Sequence, residues 1–179
     1  MPSPTDDLDR LLTVDYLDDI ADKSLAEIRS MRTACQEAEV ALSYLRRLIQ
    51  GRLDIVHTYV EHPGSDALRD LGALVNDLPS ILSSGRRQSG SPHLPQLLSP
   101  DTEESDLTAE LDGILGADQI GSLADMDPDV LRDIAGRLEV LESRVSGERR
   151  GLHERIDTLQ AELVERHKTG RASVDGLLS

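Results

Sequence analysis

Two stretches of this 179-residue sequence step their apolar residues by seven, and that repeat constrains the fold more than any other feature. In the first, Ile28, Cys35, Leu42, Ile49 and Val56 keep the interval, with Met31, Ala38 and Leu45 three residues after the first three. In the second, Leu131, Leu138, Val145, Leu152 and Leu159 do the same, with Ile134 and Leu141 in the companion positions. A seam of this kind buries itself only against another helix. Ser24 followed by Glu27 has the form of a capping box, so the first helix is expected over 24–61, before Pro63-Gly64 stops it. Asp127-Pro128 supplies a cap and a proline suited to the first helical position, so the second is expected over 127–169. One chain joins the end of the first helix to the start of the second, and the simplest pairing is antiparallel. The expected fold class is all-α: a long antiparallel two-helix coiled coil with short additional helices and a flexible linker.

The composition agrees. With no Trp or Phe and only three Tyr, the interior must be built from Leu, Ile, Val and Ala, which favours helices. Residues 1–23 read as an acidic amphipathic arm. The middle segment, 62–126, holds a short helix at 66–82 interrupted by Pro79, and a Ser-, Pro- and Gly-rich stretch at 83–102 whose composition is that of a flexible linker. Asp101 to Asp133 forms a second acidic surface, and 170–179 is a tail.

A net charge of −15 repels phosphates and disfavours direct DNA binding. The single Cys35 excludes an intrachain disulfide and, on the seam, reads as a small buried hydrophobe. No Cys/His cluster has zinc-site spacing, and no run approaches the roughly 20 apolar residues that span a bilayer. A cytoplasmic protein with no membrane partner is expected. No nucleophile, base and orienting group converge in sequence, so catalysis is not expected.

Heptads are common, and the distinguishing feature is what the two helices share besides them. Aligned at an offset of 103, Glu39, Ser43, Arg46, Gln50 and Asp54 fall opposite Glu142, Ser146, Arg149, His153 and Asp157. Arg47 and Arg52 recur as Arg150 and Arg155. At about 100° per residue each set of five lies within an arc of roughly 80°, and a rise of about 1.5 Å per residue stretches it over roughly 22 Å. Each set is a polar stripe flanking the seam, and antiparallel pairing makes the stripes two-fold related. Arg46 and Arg149 are expected at exposed positions outside the seam. An arginine fork suits a guanine O6/N7 edge or a phosphate, and a carboxylate accepts from guanine N1–H and the exocyclic amine. Ser and Gln complete phosphate or sugar hydrogen bonds.

The spacing E-x3-S-x2-R-x3-Q-x3-D, in two copies on two long helices, resembles the signature of the RsiG family of Streptomyces anti-sigma factors. The resemblance implies an antiparallel coiled coil that holds an intercalated dimer of cyclic di-GMP, two molecules per chain. In the liganded form it would sequester a sigma factor of the WhiG/flagellar type, blocking late developmental genes of sporulation. By position, the implied ligand contacts are Glu39, Ser43, Arg46, Gln50 and Asp54 with Glu142, Ser146, Arg149 and Asp157. His153 departs from the pattern, since imidazole lacks the reach of Gln.

Two other readings stay open. The stripes of a structural or scaffolding coiled coil would be solvated faces with routine i,i+4 neighbours. A constitutive anti-sigma factor would bind its partner without the dinucleotide.

Overall fold

The computed structural model describes residues 4–62, 65 and 106–169; the helix expected at 66–82, the linker expected at 83–102 and the tail lie outside them. Helix α1 spans Pro4–Leu12 and is followed by 3-10 turns at Val14–Leu17 and Ile20–Asp22. Helix α2 spans Leu25–Glu61, α3 spans Asp106–Ile114, a 3-10 segment covers Ala117–Asp125, and α4 spans Pro128–Lys168. No strand occurs among the described residues, and the fold is all-α.

Local chemistry sets where the long helices begin. The Ser24 amide donates to Glu27 Oε2 at 2.7 Å and the Glu27 amide donates to Ser24 Oγ at 3.2 Å, a reciprocal capping box. That geometry holds the Glu27 carboxyl below its ordinary pKa. At α4 the Asp129 amide donates to Asp127 Oδ1 at 2.7 Å, and the Asp127 carbonyl accepts from the Leu131 amide at 3.0 Å.

The chain forms two compact units, Met1–Tyr44 with Val145–Ser179 and Leu45–Arg144. In the first, Arg32 bonds Gln160 and Glu39 meets His153, so the α2 and α4 segments run antiparallel. Ile28, Cys35, Leu42, Val145, Leu152 and Leu159 are buried along the seam. In the second, Arg46 meets Glu142 and His57 meets Glu139, again antiparallel. Its core joins Leu45, Ile49 and Val56 of α2 to Leu131, Leu138 and Leu141 of α4, with Leu111, Leu115 and Leu123 packed in from the preceding segment. Each fully buried Leu, Ile or Val contributes about 1.5–3 kcal/mol relative to exposure.

The amino-terminal segment is tied down within the first unit. Leu11 is buried. Arg155 Nη2 donates to the carbonyls of Leu12 at 2.7 Å and Thr13 at 3.0 Å. Arg166, itself buried, donates through Nη2 to Ile20 at 2.6 Å and Ala21 at 3.0 Å, and through Nη1 to Lys23. The last carbonyls of a short helix have no intrahelical partner, and a guanidinium with five donors satisfies several at once. Burial raises the Tyr16 pKa to about 12 and pushes up the neighbouring Cys35 thiol, so the packing of the arm on α2 is uncharged.

The second unit repeats this construction. Arg52 donates to the Leu115 carbonyl just past α3 and pairs with Asp112 at 2.8 Å. Arg52 and Arg155 are equivalent at the offset of 103, and so are Leu12 and Leu115. The duplication therefore extends upstream of the long helices, through Leu8 and Leu111 to Ile20 and Leu123.

Removing the Arg166 anchor tests this description. Arg166→Ala withdraws donors from three carbonyls, and hydrogen bonds to charged groups are each worth about 1.5–3 kcal/mol. Amide exchange in residues 14–23 should accelerate about tenfold or more while far-UV helicity is kept; unchanged exchange would show that the arm is held by other contacts.

Candidate functional site

The repeated polar residues form two clusters, one in each unit, and each cluster draws on both motif copies. In the first unit Glu39, from copy one, takes Arg149, from copy two. Arg149 donates through Nη2 at 2.9 Å and Nε at 3.2 Å to Glu39 Oε1. Ser43 Oγ donates to the same oxygen at 2.7 Å, and His153 Nε2 lies 3.3 Å from it. Three polar side chains thus converge on one carboxylate whose side chain is only 17% exposed. Burial opposes its ionisation, but the hydrogen bonds from Ser43 and Arg149, aided by His153, outweigh it and hold the Glu39 carboxyl below the ordinary glutamate range.

In the second unit the roles of the two copies are exchanged. Glu142 Oε1 accepts from Arg46 Nε at 2.8 Å and from Gln50 Nε2 at 3.2 Å. Beside this cluster lies a groove of about 460 Å³, lined by Gln50, Leu53, Asp54, Glu139 and Glu142. Ser146, in the first unit, is half-buried and engaged.

One sequence expectation needs adjustment. Arg46 and Arg149 are not freely exposed: their side chains are 35% and 23% accessible, and each is paired with the motif glutamate of the other copy. The reason is geometric, because a long side chain flanking the seam reaches across it to a carboxylate on the facing helix. His153 Nε2 comes within 3.3 Å of Glu39 Oε1, on the side where Gln50 Nε2 donates to Glu142 Oε1 at 3.2 Å in the other cluster. Asp157 is exposed and its side chain joins no hydrogen bond or ion pair among the described residues, and Asp54 is an exposed groove residue.

Sequence reasoning passed over Arg52 and Arg155 as anchors, although their recurrence was a signal. Among the described residues no group of three or more His, Cys, Asp or Glu is arranged to hold a metal ion, and no helix is long and apolar enough to cross a membrane.

Chemically, each cluster offers a guanidinium fork next to a carboxylate, with a hydroxyl or an amide or imidazole at its edge. That is a donor and acceptor set for a planar heterocycle with both kinds of group. A family model described as RsiG-like matches residues 14–82 and 118–179, which include both motif copies. No curated protein matches the chain. No solved structure matches it.

Proposed function

Since the chain belongs to the RsiG-like family, we propose that it is an anti-sigma factor governed by cyclic di-GMP, with two molecules of the dinucleotide held per chain and a sigma factor of the WhiG/flagellar type as partner. The family suggests an anti-sigma factor role, implies a sigma factor as partner in general, and is not an enzyme family. The ligand and the particular partner are the further step.

The observation that carries this step is the exchange of roles between the clusters, Glu39 with Arg149 and Glu142 with Arg46. Equivalent residues of the two copies perform the same task in two places, and two equivalent guanine-bearing ligands need such a pair of places. Guanine presents acceptors O6 and N7 on one edge and donors N1–H and N2–H on another. A guanine entering a cluster gives the arginine an acceptor and the glutamate a donor, replacing the bond each loses. Opening a part-buried ion pair costs more than the roughly 1 kcal/mol of an exposed one, and two charge-assisted base contacts at about 1.5–3 kcal/mol each offset it. In this reading Ser43, Ser146, Gln50 and His153 turn to phosphate or sugar, and Asp54 and Asp157 take the outer contacts.

The acidic segments 6–22 and 101–133 suit the basic, promoter-reading surfaces of a sigma factor and would speed encounter in the cytoplasm. Coupling follows if the sigma-bound form takes cyclic di-GMP more tightly than the free form.

A second reading, a scaffolding coiled coil, is favoured by the fact that the motif arginines and glutamates already satisfy one another. Equilibrium dialysis with cyclic di-GMP, and with GMP as control, separates the two. Saturation near two cyclic di-GMP per chain is expected; no uptake would leave the scaffold reading.

A further inference from the structure

Within the first unit, the early turns of α2 and the last turns of α4 frame a groove of about 450 Å³ whose lining includes Arg29, Arg32, Gln160, Leu163, Val164 and Lys168. Arg29 and Lys168 are exposed and Arg32 is half-buried against Gln160. None of these three cations forms an ion pair among the described residues, whereas Arg46, Arg52, Arg144, Arg149 and Arg166 each face a carboxylate. Lys23, Arg47, Arg150 and Arg155 likewise form no ion pair among the described residues, but in a chain with 34 acidic and 19 basic residues three such cations lining one groove need a reason.

Helix ends supply only part of one. Lys168 sits in the last turn of α4, where a cation favours the helix dipole. Arg29 and Arg32 lie near the amino-terminal end of α2, where the dipole favours anions instead. The duplication does not account for them either. At the offset of 103, Arg32 corresponds to Ala135 and Gln160 to His57, while Arg29 corresponds to Arg132, which is neutralised by Asp129. The cluster is therefore private to the first unit and is not required by a two-fold ligand.

We propose that this groove docks an acidic, leucine-bearing peptide segment of a partner protein. The three cations attract carboxylates, Gln160, whose Oε1 already accepts from Arg32, keeps its side-chain N–H donors for a peptide carbonyl, and the floor is apolar: Leu163 is buried and Val164 is 39% exposed. A nucleic acid would gain nothing from that floor and would meet the repulsion of a chain carrying −15. The proposal is independent of cyclic di-GMP.

The test uses the full chain and a fluorescein-labelled twelve-residue peptide of Asp and Glu with two leucines four apart, followed by anisotropy. The controls are the same peptide with Asn and Gln for its acids, and an oligothymidylate of equal charge. Saturable, salt-sensitive binding of the acidic peptide is expected, weakened about tenfold or more by the double change Arg29→Glu and Lys168→Glu. The chain has two lysines, Lys23 and Lys168. Zero-length carbodiimide cross-linking to the wild-type chain should therefore join the peptide to Lys168 in preference to Lys23, a result independent of how the variant folds. Absent binding, equal cross-linking at the two lysines, undiminished affinity in a folded variant, or tighter binding of the oligonucleotide would overturn the proposal.

Discussion

Replacing Arg149 with alanine should reduce cyclic di-GMP uptake by about 10- to 100-fold, and replacing Arg46 should do the same, while both variants keep their helicity. The size follows from the contact removed: hydrogen bonds to a charged group are worth about 1.5–3 kcal/mol, and each 1.4 kcal/mol is tenfold in affinity. The retained helicity follows from position. Neither arginine belongs to the buried seam, which Ile49, Leu138, Val145 and Leu152 continue to fill. The abandoned carboxylates also keep donors: Ser43 remains on Glu39, and Gln50 remains on Glu142. Loss of such a part-buried ion pair costs more than the roughly 1 kcal/mol of an exposed one and less than the roughly 3–5 kcal/mol of a fully buried one. Equilibrium dialysis beside far-UV circular dichroism reads both quantities. Unchanged uptake would remove the arginines from the site, and collapse of helicity in both variants would show that the Glu–Arg pairs are structural.

The parts of the fold carried by periodicity and capping were legible in the sequence. The seam from Ile28 to Val56 and its counterpart from Leu131 to Leu159 follow from spacing, because burial along a helix is a one-dimensional pattern. The caps at Ser24 and Asp127 follow from local hydrogen bonding. Docking of residues 11–23 was missed: its anchors, Arg155 and Arg166, donate to backbone carbonyls, which leave no mark on residue identity, and only the recurrence of Arg155 as Arg52 hinted at one of them. Composition marked that segment as an acidic arm and could not show that it is held.

At the candidate site, the sequence identified which residues recur but not which meet. Pairing Glu39 with Arg149 instead of with a neighbour on its own helix depends on the axial stagger of α2 and α4, which is set by packing. The same stagger brings His153 to within 3.3 Å of Glu39. The offset of 103 held more information than the motif alone. Carried upstream to Leu12 and Leu115, it marks the points where Arg155 and Arg52 grip the two short helices.

The second large effect concerns the partner. If cyclic di-GMP and a sigma factor bind one another's preferred form, each must raise the affinity of the other by the same factor, and couplings of 1–3 kcal/mol correspond to roughly 5- to 150-fold. A constitutive anti-sigma factor has no such term, and a scaffold has no sigma partner. The decisive measurement is capture of a flagellar-type sigma factor by the full chain, titrated with cyclic di-GMP. Affinity should rise about tenfold or more as the dinucleotide saturates, with the increment erased in Arg149→Ala; equal capture at every dinucleotide concentration, or no capture at all, would contradict a ligand-governed anti-sigma factor.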